Sequence, residues 1–205
     1  MLFEVRTYRL RPRSQPEVIK NFAKGYESRK NYSPLSAFFY TDIGPLNQII
    51  HIWPYEDLAA RAAIRKEASG DPNWPPHLGD NLVEQLAEIF VPFPFTPDFD
   101  KAKTGPVFEW RSYTIKPHSV GGIIERWGTA LEEREKLSPL LMAMHTELGP
   151  LNKFVHIWPY ENLEHRREVR AEAAAKGIWP PKGGGDELVF QDNKIVSPTP
   201  FSPQQ

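Results

Sequence analysis

The chain has 205 residues, 40% of them hydrophobic and 25% charged, an ordinary composition for a globular protein with a sizeable core. Its 25 basic and 26 acidic residues give a formal net charge of −1, and no block of like charge supports binding to nucleic acid or to an anionic membrane. No stretch approaches the roughly 20 apolar residues of a membrane span. Cysteine is absent, so disulfides, thiolate nucleophiles and cysteine-ligated metals are excluded.

The first predicted elements are a strand and a helix. Polar and apolar residues alternate over 3–8, which predicts a strand that ends at Pro12. Ser14, followed three residues later by Glu17, has the spacing of a capping box and predicts the start of a helix.

The predicted elements that follow are two strands, a helix and a last strand. Residues 37–41 and 47–53 predict strands joined by a short Gly-Pro turn, and Pro54 is expected to end the second of them. Residues 56–68 are rich in helix formers, and 83–91 predict a strand, although the apolar spacing there also fits a helix. The order β-α-β-β-α-β is that of a ferredoxin-like unit.

This whole pattern occurs twice. Residues 3–8 return as 108–113, 44–56 as 149–161, and Trp-Pro-Pro at 74–76 returns at 179–181. The repetition predicts a tandem duplication, with one repeat at 1–99, a second at 105–205, and a polar linker over 98–105. We therefore predict an α+β fold in which two tandem ferredoxin-like (βαββαβ) repeats pack sheet to sheet.

The duplicated motif Gly-Pro-Leu-Asn-x-x-x-His-Ile-Trp-Pro-Tyr-Glu-x-Leu, with Arg-x-Tyr-x-Leu/Ile-x-Pro upstream, resembles the NIPSNAP family of the dimeric α+β barrel superfamily. The resemblance implies that the two repeats close one barrel. It also implies an association with mitochondria and protein interactions in eukaryotes, whereas the superfamily includes small monooxygenases, isomerases and haem-handling enzymes. Because fold does not imply function, an enzymatic role rests here on analogy alone.

One strand face is polar and almost unchanged between the repeats, and we expect it to line the barrel interior. Its Asn and Arg would orient a polar ligand group, its Tyr and Trp would enclose an apolar part, and Glu4 and Glu109 would hold the arginines. His51 and His156 are the candidate catalytic proton carriers, since an unperturbed histidine pKa is about 6.5. The candidate ligand-binding residues are Arg6, Tyr8, Asn47, His51, Trp53, Arg111, Tyr113, Asn152, His156 and Trp158.

Two other interpretations of these residues stay open: a buried polar network that fixes the pairing of the repeats, and a plain interaction surface. The second repeat replaces Phe38 by Ala143, which predicts a roomier second site with His145 as an extra histidine. Arg61 and Arg65 lie one helical turn apart and are expected to form exposed ion pairs.

We accordingly expect a small-molecule-binding barrel, with room for monooxygenase- or isomerase-type activity on an aromatic or carbonyl compound; the alternative is a non-catalytic protein-interaction module. No metal, nucleotide or other cofactor is predicted, because the ligand sets and phosphate loops they require are missing. A cytoplasmic location is expected, since the N-terminus lacks a signal peptide and begins directly on a strand. A homo-oligomer is also expected. Self-association is expected through the loops at Trp74 and Trp179 and the apolar tails at 93–95 and 200–201.

Overall fold

The computed structural model describes residues 1–98 and 105–205, so the predicted linker lies mostly outside the described residues. The observed order of elements is the predicted one. Repeat 1 contains β1 (Leu2–Leu10), α1 (Gln15–Arg29), β2 (Ala37–Ile43), β3 (Gln48–Tyr55), α2 (Leu58–Ala68) and β4 (Leu82–Pro92). Repeat 2 contains β5 (Val107–Ile115), α3 (Val120–Glu135), β6 (Met142–Leu148), β7 (Lys153–Tyr160), α4 (Leu163–Ala175) and β8 (Leu188–Pro198). No helix in these described ranges is long and apolar enough to cross a membrane.

Two local predictions were wrong in detail. Ser14 does precede α1, but its hydroxyl donates to the carbonyl of Arg11 at 2.7 Å and does not cap the helix. Pro54 does not end β3, which continues to Tyr55. By contrast, α2 has a side-chain cap, because the Asp57 carboxylate accepts from the backbone N–H of Ala60 at 2.8 Å.

The eight strands close into a barrel in the order β1-β3-β2-β8-β5-β7-β6-β4. Within each repeat the pairing is ferredoxin-like, but the last strand also pairs with the other repeat: β4 joins β6, and β8 joins β2. Each repeat thus supplies a strand that pairs with the sheet edge of the other repeat over part of its length, and this pairing closes the barrel.

An apolar cluster fills the barrel interior, which corrects the prediction that the polar strand face lines it; beside this cluster Lys153 pairs with Glu88 at 2.7 Å, and Nζ of Lys194 lies 5.3 Å from the Trp110 ring. Side chains from both repeats fill this core at between 0% and 4% exposure. The reason is that an eight-stranded barrel is just wide enough for its own side chains to fill, which favours apolar side chains on the inward face. The interior residues include Phe3, Val5, Phe39, Ile50, Ile52, Phe90, Phe108, Trp110, Val155 and Ile157.

The apolar tails and loops expected to mediate self-association pack within the chain instead. Phe93 is 2% exposed and stacks on Phe154 of repeat 2, with ring centroids 5.9 Å apart. Phe201 returns to repeat 1, where its ring lies 4.8 Å from that of Phe38. Because each tail crosses to the opposite repeat, these residues stabilise the pairing of the two halves and do not form free apolar surface.

Candidate ligand-binding site

The polar strand face lies outside the barrel, beneath the helices of each repeat. In repeat 1, β1 and β3 pair with Arg6 opposite His51 and Glu4 opposite Trp53. Since alternate residues of a strand share a face, these side chains and that of Tyr8 converge under α1 and α2. Val18 and Phe22 of α1 pack against the apolar members of the same face.

Glu4 is the buried centre of an arginine cluster. Its side chain is fully buried and accepts hydrogen bonds from Arg61 at 2.6 Å, Arg6 at 3.0 Å and Arg65 at 3.3 Å. Burial alone would raise the pKa of Glu4, but the hydrogen bond from Arg61 and the charges of Arg65 and Arg6 outweigh it and hold the pKa below its ordinary value. The prediction that Arg61 and Arg65 form exposed pairs along their own helix was therefore wrong.

His51 is held as a neutral hydrogen-bond donor. The indole N–H of Trp53 donates to His51 Nδ1 at 2.6 Å, so the ring proton resides on Nε2. Burial, and then the charges of Arg6, Arg65 and Arg29, lower the pKa of His51 well below its ordinary value. The side chain is 1% exposed, and Nε2 has no partner among the described residues. The role proposed from the sequence, a proton carrier near neutrality, does not fit this environment.

Arg29 is a site residue that the sequence reasoning missed. It is 2% exposed on the inner face of α1, with its guanidinium 4.4 Å from the Trp53 ring and its Nη2 donating to the Tyr55 hydroxyl at 3.2 Å. Its Nη1 is buried without a partner in the described parts of the chain. A signal was present, because Arg29 continues the apolar stripe of Val18 and Phe22 at helical spacing and recurs in repeat 2 as Arg134.

These groups surround a cavity of about 210 Å³. Four of the predicted residues of repeat 1, Arg6, Tyr8, His51 and Trp53, line it. Asn47 does not, because it lies in the turn just before β3 with φ of 57°, where its carbonyl accepts from the N–H of Leu10 at 2.8 Å. The cavity is also lined by Arg29, Tyr55, Arg65, Ala68, Ser69, Trp74, Pro75 and Gln85.

Repeat 2 contains the same contacts between its glutamate and arginines and between its tryptophan and histidine. Glu109 accepts from Arg111 at 2.7 Å and Arg166 at 2.5 Å, and Trp158 donates to Nδ1 of His156 at 2.7 Å. Burial, followed by nearby arginine charges, again lowers the pKa of His156 well below its ordinary value.

The difference between the repeats lies at the second copy of Arg29. Nη1 of Arg134 donates to the carbonyl of Ser138 at 3.1 Å, whereas Nη1 of Arg29 has no such partner. The cavity found in repeat 2, about 240 Å³, is lined by Tyr113 but not by Arg111, Asn152, His156 or Trp158. Asn152, like Asn47, lies at a turn with positive φ, 53°, and its carbonyl accepts from Ile115.

The expected extra room at Ala143 is occupied. Phe154 of β7 stacks on His156 with an interplanar angle of 21°, in the way that Phe38 of β2 stacks on His51 at 7°. The aromatic partner of the histidine has thus moved from one strand to the next, and Ala143 leaves space for it and for Phe93.

Comparisons with known proteins agree with the architecture. A family model described as NIPSNAP matches residues 3–97 and 108–203. Protein NipSnap homolog 3A of Homo sapiens is 28% identical, and the match covers 99% of this chain and 85% of that protein. An uncharacterized NIPSNAP domain protein from Burkholderia xenovorans is 34% identical over 48% of this chain and 100% of its own, with a TM-score of 0.45. A proposed monooxygenase from Lactobacillus acidophilus NCFM has a TM-score of 0.64 at 12% identity, over 95% of this chain and 92% of its own, which shows a shared fold alone.

Proposed function

This chain belongs to the NIPSNAP family, and we propose that it binds a small molecule bearing an anionic or carbonyl oxygen in the cavity between the sheet and the helices of repeat 1. The observation that supports this most strongly is that two residues lining the cavity, Arg29 and His51, each carry a buried donor, Nη1 and Nε2, without a partner among the described residues. A buried donor without a partner costs about 1–3 kcal/mol, and a ligand oxygen that accepts from it recovers that free energy.

The charge around the cavity favours an anion. Arg6, Arg29 and Arg65 line it, and the carboxylate that neutralises this cluster is that of Glu4, which Arg61 also shares. Excess positive charge at a partly desolvated site attracts negative oxygen more strongly than it would in water. The rings of Tyr8, Trp53 and Trp74 would enclose an apolar part of the ligand.

An enzyme built on this site would work by electrostatic stabilisation. Fixed donors such as Arg29 and His51 can stabilise negative charge that develops on a carbonyl oxygen, as isomerisation through an enolate requires. His51 would act as a donor and not as a base, because its Nδ1 accepts the Trp53 indole N–H. A cytoplasmic location and self-association belong to the same proposal.

A second candidate function is that of a protein-interaction module. In the described part of the chain, β4 pairs with β6 through Ile89–Pro92, and residues 82–88 have a neighbouring strand on one side only. Segment 188–194 of β8 repeats this arrangement, and its Val189 and Phe190 are each 63% exposed. A one-sided strand with exposed apolar side chains is a surface on which another chain can pair.

The experiment that tests ligand binding begins with mass spectrometry of the denatured protein, to find a co-purified small molecule. Calorimetric titration then compares phenylacetate with its neutral amide. We expect Arg65→Gln to weaken phenylacetate binding about tenfold, the effect of about 1.4 kcal/mol, because it removes a cation that lines the cavity. The side chain of Arg65 is 40% exposed.

Arg170→Gln is the matched control, since Arg170 holds the same position beside Glu109 in repeat 2, 3.6 Å from its carboxylate and 39% exposed. We expect this variant to bind phenylacetate as the parent protein does. Equal effects of the two substitutions, or equal binding of the acid and the amide, would contradict an anion site in repeat 1.

A further inference from the structure

A second cavity adjoins the arginine-lined one in repeat 1. It has a volume of about 350 Å³ and shares Tyr8, Trp74, Pro75 and Gln85 with the first as lining residues. Since the same four residues border both, the two cavities are neighbours beside the loop that carries Trp74, and a ligand that spanned both would pass these side chains. We call the two cavities together the repeat 1 cleft.

The two ends of the repeat 1 cleft differ in chemistry. The first end carries Arg6, Arg29 and Arg65 with the donor His51. The second end is lined largely by apolar side chains, those of Phe22, Pro76, Leu78 and Leu82, together with His77 and Gly79. A molecule that occupied both ends would place charge at one and apolar surface at the other.

We infer that the repeat 1 cleft binds an amphiphilic carboxylate, with its carboxylate on Arg29, Arg65 and His51 and its apolar chain or ring passing Trp74 toward Leu78 and Leu82. This inference rests on the proposed function, because it names the class of ligand for the same site. The size agrees, since ligand pockets for small organic molecules typically measure about 300–1,000 Å³ and the two ends measure about 210 and 350 Å³.

Repeat 2 has a cavity that corresponds to the apolar end, but the counterpart of Arg29 is hydrogen-bonded differently there. Its cavity of about 240 Å³ is lined by Trp127, Trp179 and Leu188, the counterparts of Phe22, Trp74 and Leu82. Nη1 of Arg134, the counterpart of Arg29, donates a hydrogen bond to the Ser138 carbonyl. Nε of Arg134 also has no partner among the described residues, but Arg134 does not line the repeat 2 cavity, whereas Arg29 lines the repeat 1 cleft. Repeat 1 is therefore where the carboxylate should bind.

The test uses the full chain and titrates it calorimetrically with acetate, butanoate, hexanoate, octanoate and octanamide. Each buried methylene contributes enough transfer free energy for about a fourfold gain in affinity, so we expect affinity to rise stepwise from butanoate to octanoate. Octanamide, which lacks the charge, should bind at least tenfold more weakly than octanoate.

Leu82→Trp fills the apolar end and should reduce octanoate affinity to that of butanoate, with butanoate itself unchanged. Leu188→Trp, at the equivalent position of repeat 2, is the matched control and should leave the whole series unchanged. Thermal unfolding of each variant verifies folding. If Leu82→Trp does not fold, Leu78→Trp, in the half-buried loop above the same cavity, replaces it.

The outcomes separate this inference from the proposed function. Affinity that does not depend on chain length would overturn the inference and leave an anion site in place. Equal binding of octanoate and octanamide, or loss of octanoate binding in Leu188→Trp instead of Leu82→Trp, would also overturn it. Absence of binding by every carboxylate, phenylacetate included, would overturn both.

Discussion

Glu4→Gln tests whether the buried carboxylate holds the arginine cluster together. The substitution keeps the side-chain shape but removes the charge that Arg61, Arg6 and Arg65 approach at 2.6, 3.0 and 3.3 Å. Removing one partner of a buried ion pair costs about 3–5 kcal/mol. The arginines here are between 15% and 40% exposed, so water screens part of their repulsion, and we expect a loss of about 2–3 kcal/mol.

The assay is equilibrium unfolding in urea, with Glu109→Gln as the matched substitution in repeat 2. The two carboxylates share no partner in the ion pairs of the described residues, so the double variant should lose the sum of the single losses within about 0.5 kcal/mol. A loss below about 1 kcal/mol in either single variant would refute the argument that the carboxylate is needed at this position.

The pH dependence follows from the same contacts. The folded-state pKa values of Glu4 and Glu109 lie below the ordinary 4.5, because arginine hydrogen bonds and charges outweigh burial. A lowered carboxyl pKa contributes stability that is present above the unfolded value and is lost as the pH falls through the folded value. We expect the parent protein to lose stability below about pH 4.5 and the double Gln variant to show a flatter acid limb; parallel limbs would contradict this.

Three further predictions concern the histidines, the mutual dependence of the repeats and self-association. Nitrogen-15 NMR should show His51 and His156 neutral and protonated on Nε2 at a pH equal to the ordinary pKa of 6.5, because burial and nearby arginine charges lower the pKa of both; a titration near 6.5 would contradict the Trp–His hydrogen bonds. The fragment 1–97 should not unfold cooperatively as a monomer, because β4 loses β6 and the interior core loses half its side chains. Light scattering should give a mass above the 23.6 kDa of one chain. Phe190→Lys should reduce this mass, since Phe190 is 63% exposed on β8. A constant 23.6 kDa would exclude self-association.

The local order of elements could be predicted because it depends on short-range signals. Alternation placed β1, helix formers placed α2, and the Gly-Pro turn placed the hairpin of β2 and β3, all within a few residues of the observed bounds. The prediction that Pro54 ends β3 was wrong, because pairing with β1 as far as Leu2–Tyr55 outweighs the lost N–H of one proline.

The candidate site could be predicted only in part. Alternation correctly grouped Arg6, Tyr8, His51 and Trp53 on one face, and these four line one cavity. Asn47 was grouped with them by the same alternation, yet it precedes the strand and has turn geometry with φ of 57°. Arg29 was missed because it reaches the cavity from α1, and no pattern within a strand indicates a partner on a helix.

Duplicated motifs and local periodicity are properties of the chain alone, so the amino-acid sequence was sufficient to identify a tandem repeat of a βαββαβ unit. Which strand face lies in the interior depends on how the two repeats pack in three dimensions. Closing eight strands into one barrel leaves an interior that the strands' own side chains fill, and the aliphatic face that includes Ile50 and Ile52 points inward. The polar face was thereby left outside, where arginines from α1 and α2 meet His51 and the cavity opens.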